Sequence, residues 1–203
     1  MARAVRAGRP LQERSFAAYG GVPELSELAR VAYEKMFPDR LADFPHSPGY
    51  IHFRIKDHGK LWRHELRHDA ESAFWMLVWW AVHASPKDGV VTEIPCAVWA
   101  RLDHTLFDPR KPDFPIDALD PSYSPLNDLL NKLGDALTDD LHWATEKPHT
   151  HPEFLHEVFQ RHILNFILAN QDEHFMRLPK ADTPRKPSPS TKHSLISAWR
   201  LMQ

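Results

Sequence analysis

Five consecutive residues, His64-Glu65-Leu66-Arg67-His68, spell HExxH. On a helix, histidines four apart share a face and can hold zinc, while the intervening glutamate serves as general base for hydrolysis. Three features weigh against that chemistry here. Asp69 has the residue type of a helix N-cap, which places the motif just before a helix rather than inside it. Catalytic zinc usually takes three protein ligands. No HExxHxxGxxH continuation follows, and Glu93, a possible distant ligand, precedes Ile94-Pro95, which disfavours a helix there. Finally, 14 histidines in the chain make a chance match ordinary. A zinc hydrolase built on His64, Glu65 and His68 is therefore the least favoured alternative, and no metal ligand is assigned.

Other reactive residues offer less. His142, His149, His151 and His156 form a second histidine-rich stretch, interrupted by Pro148 and Pro152. Their spacing matches no zinc pattern, so surface positions are expected. Cys96 is the single cysteine and sits among Ile94, Pro95, Ala97 and Val98, which suits a buried, inert thiol in a reducing compartment. There is no GxSxG, GxxxxGK[ST] or GxGxxG, so no nucleophile elbow or phosphate cradle is legible and no cofactor is expected. The balance of 25 basic and 27 acidic residues gives no reason to expect a nucleic-acid partner.

The elements that would position these residues are mostly helical. Apolar residues make up 42% of the chain, enough for a packed core. Residues 1–22 carry Gly8, Pro10, Gly20 and Gly21 and read as irregular. Leu25, Leu28, Ala32 and Met36 recur at helical spacing between Pro23 and Pro38. Tyr50 to Ile55 alternates as a short strand, with a turn at Asp57-His58-Gly59 and a second strand near Leu61 and Trp62. From Asp69 to about His83 the pattern is apolar all round (Phe74, Trp75, Met76, Leu77, Val78, Trp79, Trp80), which requires a helix enclosed on every side. Its apolar run, Ala73 to Val82, is too short for the ~20 residues of a membrane span, so no membrane partner is expected. A shorter helix is expected over Ala97–Leu102 and a long proline-rich loop over 107–125. Ser124-Pro125 opens an amphipathic helix whose stripe is Leu126, Leu129, Leu130, Leu133, Leu137 and Leu141. Thr150 and Glu153 have capping-box spacing, with Pro152 in the first turn. Leu155, Val158, Phe159, His162, Ile163, Phe166 and Ile167 then form a second amphipathic face. Residues 179–203 read as a disordered basic Pro/Ser-rich tail.

The segment from Trp62 to Trp79, with its core Arg67-His68-Asp69-Ala70-Glu71-Ser72 and the apolar continuation, resembles the fungal-type, FunK1-like protein kinases. In that family an R-H-D-x-E-S stretch opens the central buried helix of the kinase C-lobe, the F-helix. Met1-Ala2-Arg3-Ala4-Val5 is similar to the end of the family's activation segment, which is followed by a short helix. Residues 124–168 look like the last C-lobe helices. The resemblance covers most of residues 1–178.

The resemblance implies a mainly α fold, a truncated kinase-like C-lobe over residues 1–178 with at most a short β-hairpin. It implies that Asp69 is the F-helix aspartate, whose carboxylate accepts backbone amides of the catalytic loop, and that Ser72 is the serine three residues on. Both roles are structural. The glycine two residues further is Phe74 here, and the glutamate of A-P-E falls near Ala4, so its ion pair is lost. The strand lysine, glycine-rich loop, H-R-D and D-F-G that carry phosphoryl transfer are absent from the 203 residues. His68-Asp69 does not replace H-R-D, because no asparagine follows at the metal-ligand spacing. The expectation is an intracellular fragment, cytoplasmic or nuclear, without phosphotransferase activity of its own. It would act as a protein-interaction module, partnered by another protein or by the missing kinase half. The alternative is the C-terminal half of an active kinase.

Overall fold

A computed structural model of the chain describes residues 2–11, 16–53, 61–84 and 119–176. The expected Ala97–Leu102 helix, the Asp57-His58-Gly59 turn, Cys96, Glu93 and the tail lie outside the described residues. Within them the protein is mainly helical, with one two-stranded sheet. No helix among the described residues is long and apolar enough to cross a membrane.

Helix α1 spans Arg3–Ala7 and α2 Glu27–Met36; α3 is the single turn Arg40–Asp43. Helix α4 runs Leu66–His83, α5 Leu126–Ala136 and α6 Phe154–Ala169. Strands β1, Phe16–Tyr19, and β2, Tyr50–Phe53, pair antiparallel, with Tyr19 opposite Tyr50. Helix α6 is the hub, packed against α2, α4 and α5.

The α5 stripe is buried as its period requires: Leu126, Leu129, Leu130, Leu133 and the C-cap Leu137 all face the core, and Asp128 and Lys132 pair outside it. Leu141, expected on the same helix, is also buried but lies past its end, in a single 3-10 turn over Leu141–Trp143. They meet Phe74, Val78 and Ala81 of α4 and Leu155, Val158 and Phe159 of α6 in one cluster. The rings of Phe74 and Phe159 stand edge to face, 6.5 Å apart.

Several expectations are corrected. Residues 1–22 are not irregular: they contain α1 and β1, and β1 is the strand that β2 pairs with. Leu61 and Trp62 are not in a strand. In α2 the buried face is Ala29 and Tyr33, whereas Leu28 and Met36 are exposed. The reason is polar, because the Tyr33 hydroxyl is drawn inward to a buried carboxylate on α6. Helix α6 begins at Phe154, so Thr150 and Pro152 lie in the preceding turn and form no capping box. Among the described residues helix α4 is packed on one side. Ala70, Phe74, Val78, Ala81 and Val82 are buried, but Met76 is 72% exposed and Trp79 and Trp80 nearly half exposed.

The sheet is joined to the helices at a crowded glycine. A Cβ on Gly21 would lie 1.9 Å from the Ser47 carbonyl oxygen, beside the Val22–Ser47 bridge. The obstacle is backbone, which cannot swing aside. Gly21→Ala should therefore destabilise by about 1–3 kcal/mol and unprotect the Ser47 amide, which donates to Val22. Thermal melting and amide exchange check this, and unchanged protection at Ser47 would contradict it.

Candidate functional site

The N-terminal half of α4 and the residues just before it carry the HExxH motif, Asp69 and Ser72. The helix starts at Leu66, not at Asp69, so the HExxH residues straddle its beginning. Glu65 is the N-cap, His68 lies in the first turn, and His64 precedes the helix. Asp69 is thus corrected from N-cap to first-turn residue. Its carboxylate still complements the positive end of the helix.

This geometry gives the two histidines different surroundings. His68 is 3% exposed, and its Nδ1 accepts the Glu65 backbone N–H at 2.9 Å. His64 is exposed, and its Nε2 lies 3.4 Å from an Asp69 oxygen. The two ring centroids are 5.3 Å apart. Among the described residues, no three His, Cys, Asp or Glu side chains gather as a metal site. Burial, with Arg67 beside it, holds the His68 pKa below the ordinary histidine range.

One flank of this helix end is closed by residues 2–11. Ser72 Oγ accepts the Ala2 N–H at 3.1 Å and donates to the His68 carbonyl at 2.9 Å. Glu71 Oε1 accepts both the backbone N–H of Arg3, at 3.0 Å, and its Nε, at 2.8 Å. The Arg3 guanidinium also reaches the Leu137 carbonyl, tying α1 to the end of α5. Helix α1 then ends at Gly8, whose φ of +64° is the left-handed cap that suits glycine. Beyond it, Asp140 accepts the Leu11 N–H at 2.8 Å and Asp139 the Ala18 N–H at 2.7 Å. Arg3, Glu71, Asp139 and Asp140 were not legible as a group. They come from three distant stretches, and no spacing links them.

Among the described residues nothing closes the opposite flank. Leu66, Asp69, Ala73, Met76 and Trp80 recur at three- and four-residue steps and form one exposed stripe along α4. It is apolar except for Asp69, whose side chain is 60% exposed. Trp79 stacks on His83 at its edge, 4.6 Å between centroids, and Trp80 meets Tyr123 at 5.8 Å.

The second histidine group divides. His142 and His149 are buried, against the expectation of surface positions, and His151 is exposed. His149 is held in an aromatic cage of Tyr19, Tyr50 and Phe154, with Nε2 2.6 Å from the Gly20 carbonyl. Those rings exclude water, and burial lowers the His149 pKa.

No protein-family model, curated protein or solved structure matches this chain.

Proposed function

We propose that this chain is part of a fungal-type protein kinase C-lobe that performs no phosphoryl transfer with its own residues and serves as a protein-binding module. The observation that carries the proposal is the open stripe of α4. A surface side chain gains about 1.5–3 kcal/mol on full burial. Leu66, Met76 and Trp80, each about half exposed or more, therefore favour a covering partner. Trp and Met are also enriched where proteins meet. The docking of residues 2–9 against Ser72 and Glu71 supports reading the two stretches as neighbouring parts of one lobe.

A purified chain melted with and without magnesium ATP tests the non-catalytic part. The midpoint is expected to stay fixed, and no phosphate should pass to a general protein substrate. A shift of several degrees, or measurable transfer, overturns it.

A second reading is the C-terminal half of an active kinase. It is favoured by the exposed Asp69 carboxylate, which by the family resemblance would accept amides of a catalytic loop. Sequencing the transcript separates the two. In-frame H-R-D and D-F-G codons upstream support the active kinase, and a stop codon directly upstream removes it.

A further inference from the structure

Where α1, the first turns of α4 and the turn after α5 meet, they leave a cavity of about 20 Å³. Arg67, His68, Glu71 and Asp140 are among its lining residues. Two donors on this lining are buried and meet no acceptor among the described residues: Arg67 Nε and His68 Nε2. The His68 tautomer follows from its other nitrogen. Nδ1 accepts the Glu65 N–H, so in the neutral ring the proton is on Nε2, which must donate. A buried donor without an acceptor is costly, and native structures rarely tolerate one.

The cavity volume selects the occupant. One water needs roughly 10–15 Å³ of such space and two to four polar partners, and the space here is enough for one. The two unpaired donors exclude a cation. Glu71, Asp139 and Asp140 on the same lining make an anion unfavourable. Water remains, because it can accept from the donors and donate to the carboxylates. Asp140 already accepts the Leu11 and His142 amides, one on each oxygen, and each oxygen keeps a second lone pair.

We propose that a single water molecule is a fixed part of this junction, accepting from His68 Nε2–H and Arg67 Nε–H and donating to the carboxylates of Glu71 and Asp140. It adds to the link between α4 and the turn that follows α5, where Arg67 Nη2 also lies 3.4 Å from His142 Nδ1.

Water-to-protein cross-relaxation on the isotopically labelled full chain tests it. Cross-peaks from a long-lived water to the amide protons of Ala4 and Leu141, which also line the cavity, and to His68 Nε2–H are expected. In His68→Phe, which keeps a ring but removes the donor, the amide cross-peaks should fall at least tenfold. Absence of the cross-peaks from the wild-type spectrum, or persistence of the amide ones unchanged in His68→Phe, overturns the proposal. If that variant fails to fold, the wild-type cross-peak to His68 Nε2–H decides alone.

Discussion

Glu157→Ala should cost this protein on the order of 3–5 kcal/mol, the range seen when one partner of a buried ion pair is removed. Glu157 is wholly buried, and three groups converge on its carboxylate. Tyr33 donates its hydroxyl at 2.6 Å, Arg161 its Nε at 2.7 Å and Arg40 its Nε at 3.0 Å. Arg161, 2% exposed, spends its remaining nitrogens on the carbonyls of Pro23, at 3.1 Å, and Phe44, at 2.6 Å. Arg40 also pairs with Glu153 and lies over the Phe44 ring. Without the carboxylate, a guanidinium and a phenol are left buried and without their shared acceptor. In the wild-type protein burial and the carboxylate together push the Tyr33 hydroxyl pKa up to about 12, so the phenol stays protonated and donates.

The expected readout is large. At about 2–4 °C per kcal/mol for a chain of this size, the melting midpoint should fall by ~10 °C. Set against a typical total of about 5–15 kcal/mol, that loss is a large share of the protein's stability. Arg161→Ala should do the same, and the double variant should cost much less than the sum of the two, because both remove the same network. Additive losses would show that Glu157 and Arg161 act independently, and a midpoint within about a degree of wild type in Glu157→Ala would show that the network contributes little. The network also ties α2, the loop after it and α6 together, so its loss should free α2 before α4 and α5. Amide exchange along Ala29–Tyr33 would register that order.

This network shows what kind of feature sequence conceals. Glu157 and Arg161 stand four apart on a helix, the spacing of an ordinary surface ion pair, and nothing local marks them as core. The consequence spreads to α2. Its inward face is chosen by the Tyr33 hydroxyl, not by Leu28 and Met36, so an apolar-period reading selects the wrong side. By contrast, the buried face of α5 is legible, because leucines recurring at helical spacing have one way to be buried, although its end is not: the helix stops at Ala136, before Leu141. The β1–β2 pairing is hidden for another reason: its partners lie far apart along the chain, and the alternation in Tyr50–Phe53 cannot name the strand it will meet. At the candidate site, Asp69 stands out as a capping residue type, and Ser72 only through the family resemblance. The structure places Ser72 in the α1 junction and leaves Asp69 on the open stripe. Reading Asp69 as the cap misplaces the start of α4, because Glu65 supplies the N-cap and His68 closes the turn behind it.

Acidification should destabilise the fold well before its carboxylates titrate. Three histidines, His68, His149 and His162, have their pKa lowered in the folded state, in each case chiefly by burial. His162 falls furthest, to about 4, with the Lys132 ammonium adding to burial and the Asp128 carboxylate opposing it. The unfolded chain protonates these rings near pH 6.5, whereas the folded chain resists, so between the two values the unfolded state binds more protons. Stability is then complete above about pH 6.5 and is lost as pH falls, for His162 down to about 4. At about 1.36 kcal/mol per unit, His162 alone removes about 2 kcal/mol by about pH 5. His68 and His149 add in the same direction. Melting followed from about pH 7.5 to about pH 5 should show the decline, and His162→Gln should flatten it by about that amount. An identical slope in the variant would mean that His162 is hydrated in the folded chain, and that the α5–α6 contact beside it is looser than the packing of Leu129, Leu133 and Phe159 requires.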